Sequence, residues 1–149
     1  MKQLIVLVMT GFFATTAAAD DTADPVPEPV FLSEIESDLS DFVWLKRPIV
    51  VFADSPNDPN FRQQMTFLRD REEDLRERDV VVLTDTDPSI DSALRLKLRP
   101  RGFMLALIGK DGTVKLRKPL PWDVRELSRS IDKMPMRQRE LREQKNAGR

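Results

Sequence analysis

Short polar side chains follow an apolar run in the middle of the chain, and they are the first candidates for chemistry. The run from Ile49 to Ala53 predicts a buried strand. Directly after it stand four candidate ligand residues: Asp54, Ser55, Asn57 and Asp58. In α/β folds, ligands bind in the crevice at the carboxyl end of such a strand. A binding crevice and an ordinary turn with a helix start both fit these residue types, and the turn interpretation is favoured.

Two more acids, Asp85 and Asp87, follow a second apolar run, Asp79 to Thr84. A pair of carboxylates can perform acid/base catalysis, as it does in glycosidases. A turn that leads into a helix fits the same residues better, with Asp87 as the N-cap and Pro88 at the first helical position. An enzyme of unknown type that uses carboxylates in these two loops stays as the alternative function.

The amino-acid composition excludes several classes of enzyme. The 149 residues include no cysteine and no histidine. Without cysteine there is no disulfide, thiol redox or thiolate–zinc chemistry, and without histidine there is no Ser-His-Asp or Cys-His catalysis. Asp54 and Asp58 lack the spacing and the terminal Glu of an EF-hand calcium loop. No catalytic residue, cofactor or metal site is predicted, and thiol-disulfide oxidoreductase and thiol peroxidase activities are excluded.

Positive charge is concentrated late in the chain. Residues 95–118 contain eight Lys or Arg and one acid, whereas residues 20–41 contain eight Asp or Glu and no Lys or Arg. The candidate anion-binding face consists of Arg99, Arg101 and Lys115. Two interpretations explain this pattern equally well: an anionic partner, such as a surface glycan or a lipid headgroup, or a fold-back of the acidic segment over the basic face.

The first 19 residues have the pattern of a cleaved signal peptide. Lys2 supplies positive charge, Leu4 to Phe13 is apolar, and Ala17 to Ala19 fits the small-residue cleavage rule, with the cut after Ala19. An uncleaved membrane anchor is the other interpretation, but this apolar segment is shorter than the ~20 residues of a spanning helix. The mature protein is therefore predicted to be periplasmic or secreted, without a transmembrane segment and away from nucleic acid.

The rest of the chain is predicted to form one domain with flanking segments. Residues 20–31 are acidic and rich in proline, which predicts an extended linker. The folded domain is predicted at residues 32–135, beginning with an amphipathic helix from Ser33 to Phe42. Residues 136–149 are highly charged and are predicted to form a helical extension or a frayed tail outside the core.

About four strands and three further helices are predicted in this domain. After the first strand, Asn60 is expected to cap a helix that crosses over to a second, parallel strand at 79–84. The stretch Leu94–Arg99 permits a helix or a strand, and the helix is favoured. A third strand at 103–108 forms a hairpin with a fourth, and Pro121 opens the last helix. The order β-α-β-α-β-β-α predicts a central mixed sheet with helices on both faces, the thioredoxin-like α/β fold.

Four short blocks in this order resemble a known family: Arg47–Ala53, Arg78–Val82, Leu98–Phe103 and Ile108–Lys115. They are similar to a bacterial exported thioredoxin-like domain family of unknown function, related to domains of the secreted vertebrate proteins equarin and the sushi-repeat matrix proteins. The resemblance spans residues 45–137. It implies a thioredoxin-like fold, export and no established reaction.

Two departures from thioredoxin bear on the function. Thioredoxins place Cys-x-x-Cys directly after the first buried strand, where this chain has Asp54 to Asp58. They also place a cis-proline just before the hairpin strand. The nearest candidate here is Pro100, but Arg101 and Gly102 separate it from that strand. Both departures argue against dithiol chemistry. The sequence thus predicts a non-catalytic binding or structural module whose partner is an unknown protein or an anionic component of the cell envelope.

Overall fold

The computed structural model of the protein describes residues 27–32 and 38–149. The predicted signal peptide, its cleavage site, most of the predicted linker and the beginning of the helix predicted from Ser33 lie outside these residues. Within the described part of the chain, no helix is long and apolar enough to cross a membrane.

Ten strands and α-helices make up the described fold. In chain order they are β1 (Phe31–Leu32), β2 (Arg47–Phe52), α1 (Pro59–Asp70), α2 (Glu72–Arg76), β3 (Val80–Asp85), α3 (Ala93–Leu98), β4 (Met104–Ile108), β5 (Val114–Lys118), α4 (Val124–Asp132) and α5 (Pro135–Ala147). A short 3-10 helix, Leu39–Phe42, precedes β2 and is capped by Asp38. The described end of the helix predicted from Ser33 is therefore a 3-10 turn.

The strands form one sheet in the order β1-β3-β2-β4-β5. β1, β3 and β2 run parallel, whereas β4 is antiparallel to β2 and β5 is antiparallel to β4. The apolar runs of β2 and β3 are buried almost completely, as expected of strands that are covered on both faces. The predicted mixed α/β sheet, with a parallel β-α-β unit and a closing hairpin, is confirmed.

β1 is a fifth strand that the sequence did not predict. Its two residues pair in parallel with Val82 and Leu83 of β3. The preceding residue, Val30, is buried, and its carbonyl accepts a hydrogen bond from the N–H of Val82 at 2.7 Å. Residues 30 and 31, which the sequence places in the linker, thus belong to the folded domain. A two-residue strand after a proline-rich stretch has too few residues to show a period-2 pattern.

Alternate residues of β2 point to opposite sides of the sheet, and both sides are apolar and covered by helices. Ile49 and Val51 belong to an apolar cluster with residues of α1, α2 and α4. Val50 and Phe52 belong to a second cluster with residues of α3 and the 3-10 helix. β2 is therefore the central strand, with an apolar layer on each side.

Asp58, not Asn60, caps α1. The Asp58 carboxylate accepts hydrogen bonds from the backbone N–H groups of Asn60 and Phe61 at 2.8 and 3.3 Å. Pro59 occupies the first helical position. A backbone N–H at this position has no acceptor within the helix, so a proline is tolerated there. The single helix that the sequence predicted is broken at Arg71, whose φ of −131° lies outside the helical range, so that α1 and α2 are separate.

α3 and α4 begin later than the sequence predicted. Ser92, not Asp87, caps α3, and its Oγ accepts a hydrogen bond from the N–H of Arg95 at 3.1 Å. Asp123 caps α4, so Pro121 lies in the preceding turn. In each case the start is fixed by the side chain that reaches an unpaired N–H. The favoured helical interpretation of the α3 segment is confirmed.

α5 occupies the segment for which the sequence predicted a helical extension or a frayed tail outside the core, and the helical alternative is confirmed. Its Arg137 is buried, and its Glu140 accepts hydrogen bonds from Arg47 of β2 and from Lys110. The helix is thus attached to the fold chiefly through charged side chains. An apolar pattern could not reveal this attachment, because charged residues are rarely buried unless they are paired.

Candidate functional site

A cavity of about 280 Å³ opens at the end of the sheet where β2 finishes. The first residue of β4, Met104, pairs with the last residue of β2, Phe52, and therefore marks this end of the sheet. The cavity, called the cationic cavity below, is lined by Arg99, Arg101, Phe103, Met104, Arg117, Lys118 and Pro119. It lies beside β4 and β5, at the end of the sheet where the carboxyl ends of β2 and β3 also lie and where α/β proteins bind ligands.

The segment between α3 and β4 brings Arg99 and Arg101 to the cationic cavity. Arg99 ends α3 in a left-handed conformation with φ of 49°, and Gly102 has φ of 63°. A left-handed backbone is uncommon for a residue such as arginine, and such strain is concentrated at functional sites. The peptide bond before Pro100 is trans, so this proline does not reproduce the cis-proline of thioredoxins.

Arg117 and Lys118, at the end of β5, complete the cationic cavity. The Arg117 guanidinium donates a hydrogen bond to the carbonyl of Leu98. The Lys118 ammonium lies 4.4 Å from the centroid of the Trp122 ring, within the range of a cation–π contact. Both side chains are therefore held in position on this side of the cavity.

Arg99 and Arg101 bring positive charge to the cavity, and no acid of the described residues compensates it. Both side chains are exposed, and the ion pairs formed by residues 27–32 and 38–149 include neither of them. No Asp or Glu of the described residues is in the cavity lining. Three guanidinium groups and one ammonium group around a single cavity favour an anion, because the guanidinium fork matches a carboxylate or a phosphate.

Lys115, the third residue of the predicted anion-binding face, does not line the cationic cavity. Its ammonium donates a hydrogen bond to the Asp111 carboxylate at 2.9 Å. This bond, with further hydrogen bonds from Thr113, lowers the pKa of Asp111 to about 2 against the opposing effect of burial. The structure thus brings two of the three predicted residues together, and Arg117 and Lys118 join them instead of Lys115.

The predicted ligand loop from Asp54 to Asp58 is organised by hydrogen bonds within itself. Ser55 accepts a hydrogen bond from the N–H of Asn57 through its Oγ and from the N–H of Asp58 through its carbonyl, both at 3.1 Å. Asp58 caps α1, while Asp54 and Asn57 are exposed. This geometry is that of a turn and a helix start, and ligand binding by the loop stays a prediction.

Within the described residues, no group of three or more potential metal ligands is close enough to hold an ion.

Asp85 forms a buried ion pair at the end of β3. Arg95 Nε donates to one carboxylate oxygen at 2.9 Å, and Ser92 Oγ donates to the other at 2.5 Å. Arg95 also donates to the carbonyl of Ala53 at 2.8 Å, and its guanidinium lies 5.6 Å from the centroid of the Phe52 ring. The carboxylate of Asp85 is therefore engaged in holding the ends of β2 and β3 together.

Asp87, the other acid of the predicted pair, belongs to a local turn. Its carboxylate accepts hydrogen bonds from the Oγ and the N–H of Ser89 at 2.6 and 3.0 Å, and these bonds lower its pKa. A lowered pKa is unsuited to a general acid at neutral pH.

Sequence reasoning did not single out Arg95, which lies ten residues from Asp85 within a basic run that was interpreted as surface.

A second group of charges, called the buried charge network for its buried cations, lies at the opposite end of the sheet, where β2 begins; its acids Glu77 and Asp79 are partly exposed. It consists of Arg47, Glu77, Arg78, Asp79, Lys110, Asp132, Arg137 and Glu140. Arg47 and Lys110 donate to the same oxygen of Glu140 at 2.9 and 2.8 Å. Burial acts to raise the pKa of Glu140, but the hydrogen bonds from Lys110 and Arg47 outweigh it and hold the pKa below its ordinary value.

Arg137 is a buried cation of this network whose contacts are long. Its side chain is 2% exposed, yet its distances to the carboxylates of Glu140, Asp132 and Glu77 are 3.4, 3.6 and 3.7 Å. Its Nε has no hydrogen-bond partner among the described residues. No sequence pattern indicates the network, because its members are distributed over more than half of the chain.

The fold and the site define a class of protein: an α/β domain with a thioredoxin-like sheet, no thiol, and a cationic cavity beside β4 and β5, at the end of the sheet where the central strand finishes. Residues 38–140 match the family described as a domain of unknown function (DUF4174), and the chain belongs to this family. The predicted membership of a family of unknown function is therefore confirmed. A comparison with curated proteins gives no significant match.

Solved structures of peroxiredoxins from Plasmodium are similar in fold. A reduced 2-Cys peroxiredoxin from Plasmodium vivax matches with a TM-score of 0.55 and 14% identity, over 69% of this chain and 85% of the other. The mitochondrial 2-Cys peroxiredoxin of Plasmodium falciparum matches with a TM-score of 0.49 and 19% identity, over 64% and 79% of the two chains. The first likeness confirms the predicted thioredoxin-like fold. It extends to the fold alone, since this chain has no cysteine.

Proposed function

We propose that this protein is an exported, non-catalytic binding module of thioredoxin-like fold, and that it binds an anionic partner of the cell envelope through the cationic cavity. The observation that carries the proposal is the convergence of four cationic side chains, from two separate segments of the chain, on one cavity whose described lining contains no acid. The cavity holds about 280 Å³, which suits one charged group of a larger partner better than a whole ligand.

A non-catalytic role is supported by what the acids at this end of the sheet do. Asp58 accepts the first N–H groups of α1, and Asp85 is paired with Arg95 and Ser92. Both carboxylates are thus occupied within the fold, whereas a catalytic acid or base must reach a substrate. No observation on the described residues favours the alternative of a carboxylate enzyme.

Recognition of an anion is supported by the chemistry of the lining. Three of the four cations are arginines, whose planar guanidinium groups bind carboxylate, sulfate or phosphate oxygens in pairs. Phe103, Met104 and Pro119 add an apolar wall, against which charged groups are less screened by solvent than on an open surface. A structural module of the envelope would use the same cationic cavity to bind its partner.

The binding test uses two double variants with the same change in net charge. Arg99→Glu/Arg101→Glu alters the cationic cavity, and Arg62→Glu/Arg125→Glu alters two exposed arginines elsewhere that take no part in ion pairs of the described residues. The measurements are the salt concentration that elutes each protein from heparin, and the affinity for vesicles of phosphatidylserine and phosphatidylcholine.

The cavity variant should bind at least about thirtyfold more weakly than the unmodified protein at low salt, since each cation near an anionic surface contributes about 1 kcal/mol and each substitution also adds a negative charge. The control variant should lose much less. A third variant, Lys115→Glu, should behave like the control, because Lys115 lies outside the cavity. Equal losses in the cavity variant and the control would refute a specific site.

Export is part of the same proposal and rests on the signal-peptide pattern of residues 1–19. The relation to secreted vertebrate domains likewise stays a prediction. N-terminal sequencing of the protein from a periplasmic extract should give Asp20 as the first residue. Protein that keeps Met1 and stays in the cytoplasmic fraction would contradict export.

A further inference from the structure

β5 forms an edge of the sheet, and three of its five residues are basic. It pairs with β4 on one side, and no strand of the described residues pairs with its other side. An edge strand presents backbone N–H and C=O groups that another extended chain can pair with. The charges of its side chains then decide which chain is accepted.

A second basic depression, called the edge groove below, lies beside the first half of β5. It is formed by two adjoining cavities of about 200 and 490 Å³ that share Lys115, Met134 and Pro135. Lys133 and Arg139 add two exposed cations to its lining. Asp111 is the one acid among the described lining residues, and it is already bound to Lys115.

Basic depressions therefore lie beside both ends of the same edge strand. Lys115 and Leu116 line the edge groove, and Arg117 and Lys118 line the cationic cavity. Because a strand rises about 3.3 Å per residue, Lys115 and Lys118 are separated by about 10 Å along β5. An extended peptide spans this distance with about four residues.

We propose that the edge of β5 is the docking site for an extended acidic segment of a partner protein. The segment adds a strand beside β5 and places carboxylates in the edge groove and in the cationic cavity. This inference rests on the proposed function, because the cationic cavity supplies one of the two anchoring points. A peptide is favoured over a glycan because only a peptide can pair with the backbone of β5 while its acids meet the cations at both ends.

A β-bulge limits the length of β5 that can pair with a peptide. Ile108 pairs with Val114 and Leu107 pairs with Leu116, so Lys115 has no residue opposite it in β4. The regular part of β5 is then short, and backbone pairing contributes little affinity without the charged contacts. Lysine on an edge strand ordinarily opposes pairing with apolar strands, but the same charges attract an acidic one.

The probe is a labelled nine-residue peptide in which valine and threonine alternate between two glutamates at each end. Its affinity for the full protein is measured by fluorescence anisotropy at low salt. One control peptide has lysine in place of glutamate. A second control keeps every side chain but carries N-methyl groups on alternate residues, which removes the backbone donors on one edge of the peptide.

We expect the acidic peptide to bind at least about tenfold more tightly than either control, since several charge contacts and hydrogen bonds are lost in each. Binding should slow the hydrogen exchange of amides in β5 and leave β3 unchanged. The double variant Lys133→Glu/Arg139→Glu should weaken the peptide about tenfold, and the control Arg62→Glu/Arg125→Glu should not.

Equal affinity for the acidic peptide and its N-methylated form would overturn strand addition, even if the cavity variant still lost heparin binding as the proposed function expects. Failure of the proposed function would give a different result: heparin binding would be insensitive to Arg99→Glu/Arg101→Glu. If the amides of β5 are protected without peptide and the protein sediments as a dimer, the edge is occupied by a second copy and the proposal is wrong.

Discussion

The contact of Glu140 with Arg47 and Lys110 gives the most direct test of the buried charge network. Among the described residues, Glu140 is the one acid that links α5 to both β2 and the β4–β5 hairpin. The substitution Glu140→Gln keeps the shape of the side chain and one carbonyl oxygen as an acceptor, but it removes the charge. Arg47, which is 1% exposed, then has a weaker partner in a buried position.

The expected loss follows from the two hydrogen bonds that change. Both donors, Arg47 and Lys110, stay charged in the variant, so each bond should fall from the upper to the lower part of the ~1.5–3 kcal/mol range for hydrogen bonds to charged groups. The free energy of unfolding should therefore fall by about 2–3 kcal/mol. This is less than the ~3–5 kcal/mol for breaking a fully buried pair, because Glu140 is 20% exposed and an acceptor remains.

The assay is urea unfolding at neutral pH, with thermal unfolding as a second measurement, in which Tm should fall by about 5–10 °C. The matched control is Glu126→Gln. Glu126 pairs with Arg129 at 2.7 Å on the surface of α4, where both side chains are largely exposed. This control should cost less than about 0.5 kcal/mol. Equal losses for the two variants would refute the argument that burial makes the contacts of Glu140 strong.

The same contact predicts a dependence on pH. The pKa of Glu140 in the folded protein lies below its ordinary value of 4.5, so its stabilising effect is complete above that value. The effect is lost as the pH falls through the folded pKa. The difference in unfolding free energy between the unmodified protein and Glu140→Gln should thus be constant above about pH 5 and shrink below about pH 4. An undiminished difference at about pH 2 would contradict the assignment.

Two further predictions concern single side chains, both measured by urea unfolding. Asp58→Ala should cost about 0.5–2 kcal/mol because α1 loses its cap, whereas Asp54→Ala should change stability by no more than about 0.5 kcal/mol. Equal costs would contradict the cap assignment. Arg137→Met should change stability by less than about 1 kcal/mol, because its polar contacts are long, while Arg47→Met should cost about 2–3 kcal/mol. The reverse order would show that Arg137 is the stronger contact.

The strands β2 to β5 could be predicted because each is a local apolar or alternating run between turn residues. Helix starts were predicted less accurately, because neighbouring residues can serve equally well as caps. Asn60 and Asp58 are both good N-cap types, and only the three-dimensional turn decides that the Asp58 carboxylate reaches the N–H groups. Ser92 takes the same role from Asp87 in α3.

The candidate site could be predicted only in part, for two physical reasons. In a regular strand Lys115 and Arg117 would share a face, but the bulge at Lys115 interrupts the alternation of β5 and a sequence does not show it. The buried charge network depends on contacts between distant positions: Arg47 and Glu140 are 93 residues apart. Periodicity finds apolar faces, and it has no signal for charges that are buried in pairs.

Two arginines hold the central strand at its opposite ends. At the start of β2, the Arg47 side chain donates to the carbonyl of Arg78 just before β3, and beyond its end Arg95 donates to the carbonyl of Ala53. Strand ends usually fray first, because their terminal carbonyls exchange partners with water. Here both ends are tied to the neighbouring strand by side chains. Local unfolding should therefore begin at β1, β5 and α5, and the central strand should open only when the whole domain unfolds.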